Sequence, residues 1–318
     1  MQAILNVVLP VFGLILAGVL AGRFQLLGQD SSEALNRFVY FFALPAVLFV
    51  GMARVPVERS ANLPFLAAYF GALAIVVIVV VVVARIAFPG RVAENALGAM
   101  SGVFSNTGYM GLPLFLTAFG PEGMLPAVVA TVVATISVLG AVVAAIELET
   151  HGDAGAAHAL MRATRAVAGN PLIVAPLAGI AFSAAGLTLP VPIATFGDLL
   201  AAAAGPSALF AIGLFLATRS LKTLIGGRKA IEVSWLVAVK LILQPAVTWA
   251  VGSALGLDAF WLASAVILAA LPTGALTFVL ATNYGVYVER ASAVILASTV
   301  LSVLTLSMVM VLFGGVRP

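Results

Sequence analysis

The chain has no cysteine and very little charge. Of its 318 residues, 8% are charged and 63% are hydrophobic, whereas an ordinary soluble domain has roughly 25% charged residues. Only 15 basic and 12 acidic side chains are present, too few to cover a soluble protein of this size, so the composition excludes a soluble enzyme. Disorder is excluded too, because it needs low hydrophobicity and high charge. Without cysteine, disulfides, thiolate metal sites and cysteine nucleophiles are excluded together.

The chain instead has a series of long uncharged segments separated by charged connections. Each segment can cross a hydrocarbon layer of about 30 Å as a helix of about 20 residues, and each is too long for the alternating strands of about 10 residues in a membrane barrel. Ten helices are predicted, numbered in order, within 3–22, 34–54, 63–84, 95–121, 123–146, 170–186, 197–218, 231–256, 259–288 and 291–313. The sequence therefore predicts an all-α polytopic protein whose surroundings are the lipid bilayer.

The distribution of Lys and Arg predicts the orientation. Eleven of the 15 basic residues lie in connections that follow odd-numbered predicted helices, three lie on the other side, and Lys240 lies inside predicted helix 8. Cytoplasmic connections are enriched in Lys and Arg. We therefore expect a multi-pass protein of the cell (inner) membrane with both termini outside. The net charge of +3 reports this orientation and does not indicate a nucleic-acid partner.

Short strings recur in order at nearly constant spacing. Leu-Ala-Gly at 16–18 returns at 177–179, the Pro-to-Phe string at 45–49 at 206–210, Thr-Gly at 107–108 at 273–274, and Ser-Val-Leu at 137–139 at 302–304. These matches predict two halves of five helices, with a first repeat at 1–150, a cytoplasmic connection at 151–169 and a second repeat at 170–318. Because five is odd, the second half must be inverted in the membrane, as in many secondary transporters.

Predicted helices 4 and 9 each contain a cluster of glycine and proline near the middle. Proline removes a backbone donor and crowds the preceding turn, and glycine lowers the cost of leaving helical geometry. Backbone freed at this depth must face protein or water. Two interrupted helices at matching places in two halves indicate a transport site, although close helix packing would also favour small residues.

Each break leaves a half-helix whose amino end lies near the membrane midplane. Unpaired N–H groups and about half a positive charge lie at such an end. Two amino ends that face each other therefore favour binding of an anion. The predicted substrate-binding residues are Ser105, Asn106, Thr107, Gly108, Pro272, Thr273 and Gly274, and the predicted helix-shaping residues are Pro45, Pro113 and Pro206. Neither break holds an acidic residue, so no metal site or cofactor is predicted.

Two charged residues are further candidates. Lys240 lies in an otherwise uncharged segment, where a charge is expensive and functional by default. It could take part in coupling or charge balance, reach the cytoplasmic surface as a long side chain, or pair with helix carbonyls. Asp198, at the predicted external start of helix 7, could be an interface charge, a helix cap or a coupling residue. His151 and His158 lie in the connection and do not suggest a metal site.

Several strings resemble the auxin efflux carrier family. They are Asn-Arg-Phe-Val at 36–39 with Phe-Ala-Leu-Pro at 42–45, the helix 4 string at 105–114, Asn-Pro at 170–171, and Leu-Pro-Thr-Gly at 271–274 with Asn-Tyr-Gly-Val at 283–286. The match spans nearly the whole chain.

The resemblance implies a fold of two inverted five-helix repeats with crossed broken helices 4 and 9, related to bile acid sodium symporters. It also implies a scaffold half, a transport half, elevator-type movement and an organic anion substrate, which in bacteria is malonate or a related acid. The crossover asparagine and proline of the family fall on Asn106 and Pro272, and a basic residue of its helix 8 falls on Lys240. This chain departs from the family at Gln244, where a glycine is usual, and lacks the acidic residue of helix 3 and the hydroxyl after Pro45 found in plant carriers.

The sequence thus predicts a secondary transporter or facilitator of a small organic anion, a mono- or dicarboxylate such as malonate, and not an enzyme. Sodium-coupled symport is the first alternative, and coupling to Na⁺ or H⁺ stays open. A membrane sensor or enzyme is the second, although the predicted helices hold no catalytic pair. No phosphate-binding GxxxxGK[ST] loop is present, which argues against an ATP-driven pump. Association as a homodimer also stays open.

Overall fold

The computed structural model describes residues 9–54, 62–150, 155–217 and 227–313, and this part of the chain is almost entirely helical. Its helices are α1 Leu9–Arg23, α2 Asp30–Ala53, α3 Leu63–Ala87, α4 Val92–Val103, α5 Thr107–Phe119, α6 Leu125–Thr150, α7 Gly155–Ala168, α8 Pro171–Ala184, α9 Val191–Ala217, α10 Gly227–Ala254, α11 Ala259–Ala270, α12 Leu276–Tyr284 and α13 Val288–Phe313. Within these residues the strand-like pairing is a single isolated bridge.

Six of these helices are long and apolar enough to cross a membrane by length and composition: α2, α3, α6, α9, α10 and α13. Four more, α1, α5, α8 and α11, are apolar but shorter. The prediction of an all-helical polytopic membrane protein is confirmed at this level. Some helices begin earlier than predicted, α2 at Asp30 rather than 34 and α9 at Val191 rather than 197, because polar residues and proline are tolerated in a first turn.

The predicted polar connection contains a helix of its own. α7 is rich in alanine, which has the highest helix propensity, and it packs on α6. The Arg162 guanidinium of α7 lies 3.3 Å from the Glu147 carboxylate of α6. The structure thus divides the predicted 151–169 connection into α7 and short flanking segments, and His151 lies outside the described residues.

Wide π-helical turns precede three of the prolines. They span Val39–Ala43, Thr107–Gly111 and Val239–Leu243, and each ends two residues before a proline, the last of them before Pro245. A proline ring crowds the carbonyl four residues earlier and donates no hydrogen bond, so the wider turn relieves that crowding. The other predicted helix-shaping proline, Pro206, lies inside α9, which continues across it.

Two close helix contacts have the same spacing in the sequence. α1 packs on α9 and α8 packs on α2. A Cβ atom on Gly18 would collide with the carbonyl oxygen of Phe210, and a Cβ atom on Gly179 would collide with that of Phe49. Gly179 follows Gly18 by 161 residues, and Phe210 follows Phe49 by the same number. The α1–α9 contact and the α8–α2 contact are therefore built in the same way.

A second group of helices shares a separate hydrophobic cluster. Its buried members lie on α3, α4, α6, α10, α12 and α13, on the residue after α4 or on the turn between α12 and α13, and none lies on α1, α2, α8 or α9. Val76, Leu97, Val239 and Ala281, for example, are almost fully buried in it. Of the helices beside the two clusters of glycine and proline, α4 and α12 therefore pack in this second cluster, whereas α5 and α11 pack in the same cluster as α1, α2, α8 and α9.

A polar network closes one end of this second group. The Arg290 guanidinium lies 3.0 Å from Glu232 and 3.1 Å from Glu94, and it stacks 4.2 Å from the centre of the Tyr287 ring. The Tyr287 hydroxyl donates a hydrogen bond to Glu232. Burial, with the Glu232 carboxylate, raises the pKa of Tyr287. Arg290 therefore joins the first two turns of α4, α10 and α13.

We expect Arg290→Ala to lower the free energy of unfolding by about 1.5–3 kcal/mol, because two partly buried carboxylates lose a charged hydrogen-bond donor. Lys229→Ala is the matched control, since Lys229 forms an exposed ion pair with Glu289 at 3.5 Å and such pairs contribute little. Equilibrium unfolding in detergent would measure both variants. Equal stability of the two variants would contradict the role given to Arg290.

Candidate functional site

Both glycine- and proline-containing helices are interrupted, and the interruptions cross. α4 ends at Val103 and α5 begins at Thr107, while α11 ends at Ala270 and α12 begins at Leu276. We call α4 with α5 the first broken helix and α11 with α12 the second broken helix. Each break results from local sequence, since a glycine stands at both and Pro272 at the second.

The extended segments of the two breaks are hydrogen bonded to each other in antiparallel fashion. The Asn106 N–H donates to the Pro272 carbonyl at 2.9 Å, and the Gly274 N–H donates to the Phe104 carbonyl at 2.8 Å. These bonds pair Ser105 with Thr273, so the crossing relates positions 168 apart. This contact is a different relation from the sequence match of Thr107 with Thr273, which gives equivalent positions of the two predicted repeats.

The amino ends of α5 and α12 retain unpaired backbone donors. The N–H groups of Gly108 and Tyr109 in α5, and of Ala275 and Leu276 at the start of α12, have no hydrogen-bond partner within the described residues. The first N–H groups of any helix lack an intrahelical acceptor, and the helix dipole adds partial positive charge there. Two donor ends are therefore available at the crossing.

Several predicted binding groups are already engaged in the crossing itself. The Thr107 N–H donates to the Ser105 carbonyl at 2.8 Å. The Thr273 hydroxyl donates to the Ser101 carbonyl at 2.7 Å, and the Thr273 N–H donates to the Ser298 hydroxyl at 3.1 Å. The bonds from the Thr273 hydroxyl and the Gly274 N–H join the two broken helices, the Thr107 bond lies within the first break, and the Thr273 N–H bond reaches α13. The N–H donors left for a ligand are consequently the next two in each break, those of Gly108 and Tyr109 after Thr107 and those of Ala275 and Leu276 after Gly274.

The side chains at the first break are buried. Ser105, Asn106 and Thr107 are 1%, 5% and 2% exposed. The Asn106 side chain does not cap α5, although asparagine is a preferred cap. Its carboxamide is therefore not used to satisfy the amino end of the half-helix that it precedes.

The carboxyl ends of the half-helices are held by two side chains of α10. Lys240 is fully buried, and its ammonium donates to the Ala269 carbonyl at 2.7 Å and to Gln244 Oε1 at 2.8 Å. Gln244 Nε2 donates to the Val103 carbonyl at 2.9 Å. Lys240 thus pairs with a helix carbonyl, one of the roles expected from the sequence, and its side chain does not reach the surface.

Asp198 is placed at the surface with a partner of its own. Its carboxylate accepts two hydrogen bonds from the Arg54 guanidinium, at 2.9 and 2.8 Å, and both side chains are about half exposed, at 49% and 50%. The pair joins α9 to the residue that follows α2. An interface charge is the role that this geometry fits.

A cavity of about 130 Å³ lies between α1, α2, α5 and α9. Its wall is mostly apolar and includes Pro113, Pro206 and Leu44. A Cβ atom on Gly108 would lie 4.0 Å from Leu44 Cδ1, so one wall residue of the cavity also contacts the amino end of α5. The cavity thus begins beside one of the two donor ends.

Sequence reasoning missed several residues of the crossing. In the sequence Gln244 stands out only as a departure from the family, although it follows Lys240 by four residues and so lies on the same helix face. Ser298 carries no signal in the sequence, because its role depends on the packing of α13 against the second break. Tyr109, Ala275 and Leu276 contribute backbone groups, which their side chains do not reveal.

Comparison with known proteins agrees with this description. The chain matches a family described as "Membrane transport protein" over residues 3–159 and 157–310. It is 34% identical over 310 residues, 96% of this chain and 95% of the relative, to a protein of Rhizobium meliloti (strain 1021) named "Putative malonate transporter". It is 25% identical over 311 residues, 93% of each chain, to "Uncharacterized transporter YfdV" of Escherichia coli (strain K12).

A plant relative matches a shorter part of the chain. The protein of Oryza sativa subsp. japonica named "Probable auxin efflux carrier component 1b" is 32% identical over 131 residues, 40% of this chain and 23% of the relative. The resemblance to auxin efflux carriers is therefore confirmed, and the relatives are named as transporters rather than enzymes. On the family match and the long apolar helices together, this chain belongs to the family of membrane transport proteins.

Proposed function

We propose that the protein is a secondary transporter of a small organic anion, a carboxylate such as malonate, which binds at the crossing of the two broken helices. The observation that carries the proposal is the pair of half-helix amino ends with unpaired N–H groups at Gly108, Tyr109, Ala275 and Leu276. Amino ends of helices are ready anion sites. The name of the R. meliloti relative supports malonate as the first substrate to test.

The geometry favours a dicarboxylate over a single charge. The amino ends of α5 and α12 meet at one crossing, and the N–H groups of each end can bind one carboxylate. The Asn106 carboxamide adds a neutral donor beside α5, and charge-assisted hydrogen bonds of this kind are the strong ones. No acidic residue stands in either break, so an anion meets no like charge there. The predicted binding residues Ser105, Thr107, Pro272, Thr273 and Gly274 then position these donors.

The same proposal includes ten membrane-crossing helices in two inverted repeats, at 1–150 and 170–318, with both termini outside. The equal spacing of the Gly18–Phe210 and Gly179–Phe49 contacts supports the repeat. α1, α2, α8 and α9 would form a scaffold, and the helices of the separate hydrophobic cluster would move as one body against it. The cavity beside α5 would give the anion a path to the crossing on one side.

Sodium-coupled symport is the second candidate function. Carboxyl ends of broken helices supply carbonyl oxygens for Na⁺ in transporters with inverted repeats, and the carboxyl ends of α4 and α11 meet at this crossing. Proton coupling, with Lys240 or Asp198 as the coupling residue, belongs to the same class of function. The candidates differ in whether uptake requires Na⁺ or a pH gradient.

Uptake of labelled malonate into proteoliposomes tests the proposal. We expect saturable uptake that other small carboxylates inhibit and that malonamide, the neutral analogue of similar shape, does not inhibit. Liposomes without protein provide the background. Malonamide that competes as well as the dicarboxylates would show that negative charge is not recognised, and no binding or uptake of any small carboxylate would contradict the function.

A further inference from the structure

A chain of hydrogen bonds connects the carboxyl ends of the two broken helices through α10. It runs from the Ala269 carbonyl to the Lys240 ammonium, on to the Gln244 carboxamide, and ends at the Val103 carbonyl, with distances of 2.7, 2.8 and 2.9 Å. The π-helical turn at Val239–Leu243 lies in the same stretch of α10. Two neighbouring side chains therefore serve both carboxyl ends.

These two carboxyl ends have opposite electrostatic character to the amino ends that face the anion. The last carbonyls of a helix lack intrahelical donors, and they carry about half a negative charge per helix. Such oxygen groups attract a cation, and transporters built from broken helices use them to coordinate Na⁺. Within the described residues Lys240 forms no ion pair with a carboxylate, so its oxygen partners are the Ala269 carbonyl and Gln244 Oε1.

We propose that the Lys240 ammonium is a resident cation, which occupies the place between the carboxyl ends where a free Na⁺ would otherwise bind. The inference rests on the proposed anion site, because the fixed positive charge balances an anion held at the amino ends of the same crossing. It makes binding and uptake of the anion independent of Na⁺. Lys240 is a positioning residue, since it acts through the half-helix ends and does not contact the substrate.

The proposal predicts that shortening the lysine creates a cation site. Lys240→Ala removes the ammonium and leaves a space lined by the Ala269 carbonyl and the Gln244 carboxamide oxygen. Lys240→Met is the matched control, because its unbranched side chain fills most of the space without charge. Gln244→Ala is a second control, because it removes the hydrogen bond to the Val103 carbonyl and keeps the Lys240 ammonium.

The first measurement is the thermal unfolding midpoint of purified protein in equal concentrations of NaCl, KCl or choline chloride, without substrate. We expect the midpoint of the wild type not to change between the three salts, and the midpoint of Gln244→Ala not to change between them either. Lys240→Ala should unfold at a lower temperature in choline chloride and recover saturably with NaCl. Lys240→Met should unfold at a lower temperature in every salt, with no recovery.

The second measurement is malonate uptake into proteoliposomes with Na⁺ or with choline. Wild-type uptake should be the same in both, and Lys240→Ala should be at least about tenfold slower in choline than in Na⁺, a ratio that corresponds to about 1.4 kcal/mol. Three results would each overturn the inference: an unfolding midpoint and uptake of Lys240→Ala that do not depend on the cation, a wild-type unfolding midpoint for Lys240→Met, or wild-type uptake that requires Na⁺. If Lys240→Ala does not fold in any salt, the wild-type measurement still decides. Failure of wild-type uptake in both salts would instead contradict the proposed function, while the thermal measurement remains independent of it.

Discussion

Replacing Asn106 with alanine is expected to weaken binding of the anion about 10- to 100-fold, since hydrogen bonds to charged groups contribute about 1.5–3 kcal/mol. Asn106 precedes α5 directly, is 5% exposed, and does not cap the helix. The substitution leaves its backbone unchanged, both the N–H that donates to the Pro272 carbonyl across the crossing and the carbonyl that accepts from Met110 and Gly111 within α5. Uptake should therefore be lost at malonate concentrations near the wild-type dissociation constant, while folding and membrane insertion persist.

Two further variants sharpen this prediction. Asn95→Ala removes the same kind of side chain from the exposed start of α4, where it donates to the Gly90 carbonyl, and should bind malonate like the wild type. Asn106→Asp is nearly isosteric but places a negative charge where the anion is proposed to bind, and it should abolish uptake at neutral pH. Isothermal titration and proteoliposome uptake would measure all three. Normal uptake by Asn106→Ala or Asn106→Asp would remove Asn106 from the site.

Replacing Gly18 with valine is expected to destabilise the protein by about 3 kcal/mol, at the upper end of the usual cost of overpacking. A Cβ atom at Gly18 would lie 3.0 Å from Gly213 Cα and closer still to the Phe210 carbonyl oxygen. The obstacle is backbone of α9, which no rotamer change can move. α1 and α9 must then separate, with loss of the packing that small residues permit in membrane helices.

Gly13→Val is the matched control for this prediction. Gly13 lies on the same helix, and a Cβ atom there would meet no atom within 4 Å. Gly179→Val should have an effect similar to that of Gly18→Val, because a Cβ atom at Gly179 would lie 2.5 Å from the Phe49 carbonyl oxygen. Unfolding in mixed detergent micelles would measure the three variants. Equal stability of Gly18→Val and Gly13→Val would show that α1 and α9 can separate without cost.

The helical segments could be predicted from the sequence because their determinants are local. Uniform apolar runs such as Val76 to Val83 lie in a helix despite their β-branched side chains, since a helix satisfies every backbone group within its own segment in lipid. The breaks at Asn106 and Pro272 follow equally from local glycine and proline. The short helix α7 is not predicted, because the charged residues in 151–169 indicate a polar connection although its alanine content favours a helix.

The details of the crossing could not be predicted, because they depend on which segments meet. The sequence match gave Thr107 and Thr273 as equivalent positions of two repeats and predicted no contact between the breaks, whereas the hydrogen bonds pair Ser105 with Thr273. The engagement of the Thr273 hydroxyl with the Ser101 carbonyl, and of Lys240 with the Ala269 carbonyl, joins residues far apart in the chain. The sequence identifies Thr273 and Lys240 as candidate site residues but gives no means to choose their partners.

The position of a bound anion is the decisive test of an anion site at the crossing. A crystal structure with bromomalonate, whose bromine is located by anomalous scattering, would show where the dicarboxylate lies. We expect carboxylate oxygens within hydrogen-bond distance, about 3 Å, of the N–H groups of Gly108 or Tyr109 on one side and of Ala275 or Leu276 on the other. An anion bound elsewhere, with these four donors still unpaired, would contradict this expectation.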